Sequence, residues 1–271
     1  MREFDMRWVA ALALLSGCDV VLGLKEQFDA MPDAPLPDAA NGCWSVLYQD
    51  NDEDGDEHLD GCDNCPAVSN TVQDDSDDDG VGDACDRSDS SREQIAYFRS
   101  FSASSHIDGT MAAGGHWTVG GGSLVQDNAS VEATLFLPGT FVGARVLVEV
   151  RGVSSPTGTK PNREAGVAIS LDNARTMGLV CVGRRRFGDT AAVALSRIGM
   201  LSNSGLPATL GTSLRLEISA AAMNGMPSCE ANSVPPAKLE LTGVGPTEGK
   251  IGVVTSQSTV EVLSITVITP R

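Results

Sequence analysis

From residue 144 onward, apolar and polar positions alternate with a period of two. Ala144, Val146, Val148 and Val150 are separated by Arg145, Glu149 and Arg151. Leu214, Leu216 and Ile218 alternate with Arg215, Glu217 and Ser219, and Leu239 and Leu241 with Lys238 and Glu240. This is the period of strands with one buried face. Shorter runs at 97–101, 116–119, 123–125, 131–137, 166–171, 177–182, 191–198, 250–255 and 260–268 predict further strands, about twelve in all between residues 95 and 271. Glycine- and proline-rich turns separate them and no helical period of any length intervenes. So many short strands in one stretch predict a mostly β domain of two packed antiparallel sheets.

The N-terminal pattern differs. Trp8 to Leu15 is an apolar run of 8 residues, too short for a membrane-spanning helix of about 20 but suited to the core of a signal peptide. It ends in Leu15-Ser16-Gly17-Cys18, which resembles the bacterial lipobox. The resemblance implies cleavage after residue 17, a lipid on Cys18, and export to the outer membrane or cell surface. Glu3 and Asp5 depart from the basic start of such a peptide; a start at Met6 leaves Met6-Arg7 as its cap. Residues 18–42 then form the lipid anchor and a Pro/Asp/Ala spacer without apolar period. At about 3.3 Å per residue its 25 residues reach roughly 80 Å at most.

The chain holds seven cysteines, an odd number that an exported protein must explain. With Cys18 assigned to lipid, six remain. Their spacing points to Cys43 with Cys62 (19 residues), Cys65 with Cys85 (20 residues), and Cys181 with Cys229 in the β domain. An oxidising compartment follows. Cys62-x-x-Cys65 also has the ligand spacing of a zinc site, but hard oxygen donors that zinc does not need are interleaved with it.

Charge is concentrated in the same region. Residues 50–89 carry 16 acids against one base, Arg87, a net of −15 out of −17 for the whole chain. Such an anionic surface excludes nucleic acid as a partner. Asp75, Asp77, Asp79 and Asp83 stand 10, 8, 6 and 2 residues before Cys85; Asp52, Asp54, Asp56 and Asp60 stand at the same offsets before Cys62. This is an internal repeat of about 23 residues. Two carboxylates 4 Å apart repel by about 1 kcal/mol even in water. A hard dication taking six to eight oxygens at about 2.3–2.6 Å turns that repulsion into ligation, which points to calcium; magnesium favours a smaller octahedron and keeps its waters. An EF-hand does not fit: counted from Asp50, position 12 is Gly61, and counted from Asp75 it is Asp86, with Gly82 where an apolar residue belongs.

Residues 63–86 read D-N-C-P-x-x-x-N-x-x-Q-x-D-x-D-x-D-G-V-G-D-x-C-D, which resembles a complete thrombospondin type 3 repeat, with Asn70 and Gln73 in the family's places. The resemblance implies an irregular chain wrapped around calcium and linked by disulfides in sequential order. It implies Asp75, Asp77, Asp79, Asp83, Asp86 and Asn70 as ligands. Residues 43–62 resemble a degenerate second repeat, implying Asp52, Asp54, Asp56, Asp60 and Asp63. There Glu57 replaces the turn glycine Gly80, and a frame shifted by two residues, starting at Asp50, is equally open. The repeats span residues 43–88.

Residues 95–271, with W-x-x-G-G-G-S-L near the start and G-K-I-G-V-V-T before the last strand, resemble the concanavalin/laminin-G jelly roll, a lectin-like β-sandwich. Of the histidines His58, His106 and His116, none has a nucleophile signature beside it. Glu132, Glu149 and Glu164 are available as acids without a distinctive spacing. Arg184-Arg185-Arg186 reads as a solvated hairpin tip, with an anionic ligand as the other reading. The expectation is a non-enzymatic calcium-binding surface lipoprotein, whose stiffened stalk presents the sandwich for adhesion to a glycan or surface protein. A membrane-anchored glycan hydrolase and an inert envelope protein are the alternatives.

Overall fold

The structure is a computed structural model in which residues 43–45, 51–87, 92–102, 107–152, 162–186, 191–198, 203–207, 209, 213–220, 226–243 and 248–271 are described. Cys18, Asp50, Asp89 and His106 lie outside them, as does all of residues 1–42. No described helix is long and apolar enough to cross a membrane.

Among the described residues, sixteen strands, numbered in chain order, form two antiparallel sheets. The first contains β1 (Glu93–Arg99), β3 (Trp117–Gly120), β4 (Ser123–Gln126), β7 (Arg145–Arg151), β12 (Ser213–Ser219), β13 (Ser228–Ala231), β14 (Ala237–Glu240) and β16 (Val260–Pro270). Its order is β14-β13-β12-β7-β16-β4-β3, with β1 also paired to β16. The second contains β2 (Met111–Ala113), β5 (Glu132–Phe136), β6 (Phe141–Val142), β8 (Asn162–Leu171), β9 (Leu179–Arg186), β10 (Ala191–Arg197), β11 (Asn203–Pro207) and β15 (Glu248–Ser256). Its order is β11-β10-β9-β8-β15-β5-β2, with β6 joined to β15.

The period-two residues meet as expected. Val146, Val148, Val150, Leu214, Leu216 and Ile218 pack across the sandwich with Val167, Ile169, Val193, Leu195 and Val253. The Cys181–Cys229 disulfide joins β9 to β13 through this core. Arg184, Arg185 and Arg186 belong to β9 instead of a hairpin tip, and Arg184 is paired with Glu164 at 2.5 Å.

The acidic segment is joined by Cys43–Cys62 and Cys65–Cys85 and, among the described residues, has no regular structure apart from a 3-10 turn at Asp60–Cys62. It does not stand away from the sandwich as a stalk. Cys65, Ala67, Val81 and Cys85 share a second apolar cluster with Ile95, Phe98, Leu147 and Ile268, on the outer face of the first sheet. A bulge between Ile95 and Tyr97 shifts the phase of β1. Tyr97 therefore faces the sandwich core while Phe98 faces the acidic segment. Trp44 meets Phe98 edge-on at 6.2 Å. Around this contact, Arg87 pairs with Glu217 at 2.6 Å and Glu230 at 2.9 Å, and the buried Arg145 reaches Glu93, Glu217 and the Cys85 carbonyl.

Candidate functional site

The two acidic loops share one backbone design. Asp52 accepts hydrogen bonds from the N–H groups of Asp56 at 3.2 Å and Glu57 at 3.1 Å; 23 residues on, Asp75 accepts from Asp79 at 3.2 Å and Gly80 at 2.8 Å. Asp56 accepts from His58 N at 2.9 Å and Asp79 from Val81 N at 2.8 Å. Gly55 and Asp78 have φ of 75° and 56°, and Glu57 and Gly80 have 79° and 89°. The repeat is thus in the frame that begins at Asp52, and Glu57 adopts the turn conformation that Gly80 takes at less cost.

Within each loop the carboxylates turn toward one another. Ligand atoms of Asp52, Asp54 and Asp56 lie within 4.8 Å of each other, and those of Asp75, Asp77 and Asp79 do likewise. Both Asp54 carboxylate oxygens are buried without a hydrogen-bond donor among the described residues. Burial first, then the charges of Asp63, Asp56 and Asp52, push its carboxyl up to about 7. The Asn70 side-chain oxygen accepts from Gln73 Nε2 at 3.0 Å and also faces three oxygens: the Val68 carbonyl at 3.1 Å, Asp56 Oδ2 at 3.2 Å and Asp63 Oδ1 at 3.3 Å. Rotating the amide relieves these contacts but turns its oxygen onto Asn64 Oδ1 at 2.7 Å. A carboxylate with both oxygens buried and no donor, beside two further carboxylates, fits a hard cation. These acidic groups could hold a metal ion.

Asp60 and Asp83 lie outside both carboxylate groups. Each fixes its own loop, Asp60 Oδ1 accepting from Glu53 N and Asp83 Oδ1 from Ser76 N, both at 2.8 Å. Asp63 accepts from Cys65 N at 2.7 Å and Gln73 Nε2 at 2.9 Å. Asp86 acts through its charge on Asp77, whose carboxyl is raised by burial and by Asp79, Asp86 and Asp75. Four participants carried no sequence signal: the Val68 carbonyl, Trp44, which donates to the Asp63 carbonyl at 2.7 Å, Glu53, pushed up to about 7 by burial, Asp60 and Glu149, and Arg145, which alternation places among the solvent-facing residues of β7.

The sandwich carries a separate feature. A cavity of about 320 Å³ opens on the outer face of the second sheet. Cross-strand register sets Glu132, Ser256, Glu164 and Arg184 in one row. Val180, Val182 and Val254 line the same cavity. Arg175, at φ 58°, crosses from the β8–β9 loop to Thr134 Oγ1 at 3.3 Å. On the first sheet, His116 meets Asp127 at 3.0 Å, and Trp117 at the start of β3 packs partly against the core.

No family model and no curated protein matches the sequence. Solved structures similar in fold include the carbohydrate-binding module CBM66 from Bacillus subtilis, at 9% identity and TM-score 0.43, covering 59% of this chain and 94% of that one. A galectin-like protein of unknown function from Bacillus subtilis is 15% identical at TM-score 0.42, covering 65% and 97%. Peanut lectin is 9% identical at TM-score 0.47, covering 65% and 97%. At these identities and TM-scores the likeness assigns neither a family nor a ligand.

Proposed function

We propose that the chain is an exported surface lipoprotein, lipidated at Cys18, in which thrombospondin type 3-like repeats fold around calcium against a glycan-binding sandwich. The observation that carries the calcium reading is Asp54, whose two buried carboxylate oxygens have no hydrogen-bond donor among the described residues and lie beside the carboxylates of Asp52 and Asp56. Asp52, Asp54, Asp56, Asp63 and Asn70 would hold one ion, and Asp75, Asp77, Asp79 and Asp86 a second. Calcium supplies charge compensation and a rigid centre; the chain supplies oxygens and a backbone already turned toward them. Asp60 and Asp83 support the loops from behind. In calorimetric titrations, Asp54→Ala and Asp77→Ala should weaken calcium binding far more than Asp89→Ala, which lies beyond the repeat. Equal losses would mean diffuse attraction by net charge.

The glycan reading rests on the cavity of the second sheet. Its aliphatic floor suits the C–H face of a sugar, and its row of carboxylates and hydroxyl groups suits sugar hydroxyls. The reading is non-catalytic, because Glu164 is bound to Arg184 and the acid pair of a glycosidase would need both carboxylates at the sugar. On an array of neutral and anionic oligosaccharides, neutral glycans should bind and Ala174→Trp, at the cavity rim, should abolish the signal. Binding that survives this substitution would move the site elsewhere.

A further inference from the structure

The cavity of the second sheet carries a charge that sugar hydroxyls leave unanswered. Glu132 on β5, Ser256 on β15 and Glu164 on β8 are direct cross-strand neighbours, and all three line the cavity. Two strand spacings separate the acids, about 10 Å between their backbones, so a small group above Ser256 stands between two carboxylates. Their partners differ. Glu164 gives Oε1 to Nε of Arg184, a guanidinium 6% exposed, and its Oε2 is uncommitted among the described residues. Glu132 is exposed, and its carboxylate has neither an ion pair nor a hydrogen bond among the described residues. Arg175 enters from the β8–β9 loop, donates to Thr134 Oγ1 at 3.3 Å and forms no ion pair with either acid. With Glu164 balanced by Arg184, the row keeps one negative charge, that of Glu132. Its complement is a monovalent cation, and beside the acids Val182 and Val254 offer an aliphatic surface that would not ligate a bare metal ion.

We propose that this cavity selects a glycan bearing a free amine, with the ammonium above Ser256 between Glu132 and Glu164 and the sugar ring against Val182 and Val254. The inference rests on the glycan reading above and narrows its ligand. A neutral sugar fits the same cavity and can donate hydroxyl hydrogen bonds to both acids, but it leaves Glu132 uncompensated. An ammonium brings three donors and the missing charge, and hydrogen bonds between ionised partners are about twice as strong as neutral ones. An anionic sugar meets repulsion at the same place. Arg175 sets the direction: its charge on the Thr134 side turns the ammonium away from the loop and toward the row of acids. Acetylation of the amine removes both the charge and two of the donors, so an acetylated sugar of the same chain length isolates their effect.

Calorimetric titration of the full chain in detergent tests this, in about 0.15 M salt and at about pH 5.5, where glutamates are ionised and amines charged. A linear glucosamine oligomer should bind about tenfold or more tightly than its fully N-acetylated counterpart. Glu132→Gln should bring that ratio close to one, and Glu132→Asp, which keeps the charge, should retain a preference. Glu261→Gln removes a negative charge from β16 of the first sheet and should leave the ratio as it was. A ratio near one in the unsubstituted chain would overturn the amine inference and leave the glycan reading standing. Equal falls in Glu132→Gln and Glu261→Gln would overturn it as well, since they report attraction by net charge. Binding of neither oligomer also ends the inference, and the array of neutral sugars then decides the glycan reading separately.

Discussion

Asp54 sits between Asp52, Asp56 and Asp63 with no hydrogen-bond donor for either oxygen among the described residues. With its carboxyl pushed up to about 7 from an ordinary value of 3.8, the metal-free native state keeps a proton that the unfolded chain has already lost. The unfolded state therefore binds fewer protons between these values, and metal-free stability falls as pH rises. Glu53, also at about 7, adds in the same direction. The melting temperature of the chelated protein should decline from pH 5 to pH 8, and saturating calcium should remove the decline by taking the proton's place. Asp54→Asn should flatten the metal-free profile and weaken calcium binding together. A metal-free melting temperature that rises over this interval would contradict the assignment of Asp54.

Among the elements, the strongly alternating strands were the legible ones. β7 and β12 are marked by valine, leucine and isoleucine at every second position, and both lie where the alternation puts them. β2, β6, β11 and β13 were not legible: β6 has two residues, β11 is the polar edge run Asn203–Pro207, and β13 reads Ser-Cys-Glu-Ala. The acidic loops were legible because backbone-capping aspartates must recur at fixed offsets, and the cysteines mark their register. Their seating on the first sheet was hidden. Ile95, Phe98, Leu147 and Ile268 belong to strands whose inner faces are apolar too, and only the bulge in β1 brings Phe98 outward. Trp44 reports on this seating, since its indole donates to the Asp63 carbonyl and rests on Phe98. Chelation should shift tryptophan emission to the red, and Trp44→Phe should remove that shift while Trp117 continues to emit. An unchanged spectrum would mean that the segment remains seated without metal.

For the whole molecule, the concentration of charge acquires a structural meaning. The described part of the acidic segment, residues 51–87, lies against a sheet whose outer face answers with Arg145 and with apolar side chains, so it works as a cap on the sandwich. The cavity of the second sheet, across the sandwich from the cap, stays free for a ligand. Asp56 and Asp79 are buried, each within a group of three close carboxylates, and cations held as proposed would compensate the repulsion in both loops. Native mass spectrometry of the chain during a calcium titration tests this most directly. The account predicts discrete binding of at least two calcium ions, one per loop, saturating at or below millimolar calcium. A spectrum showing only metal-free protein, or an unresolved smear of weakly held ions, would contradict it.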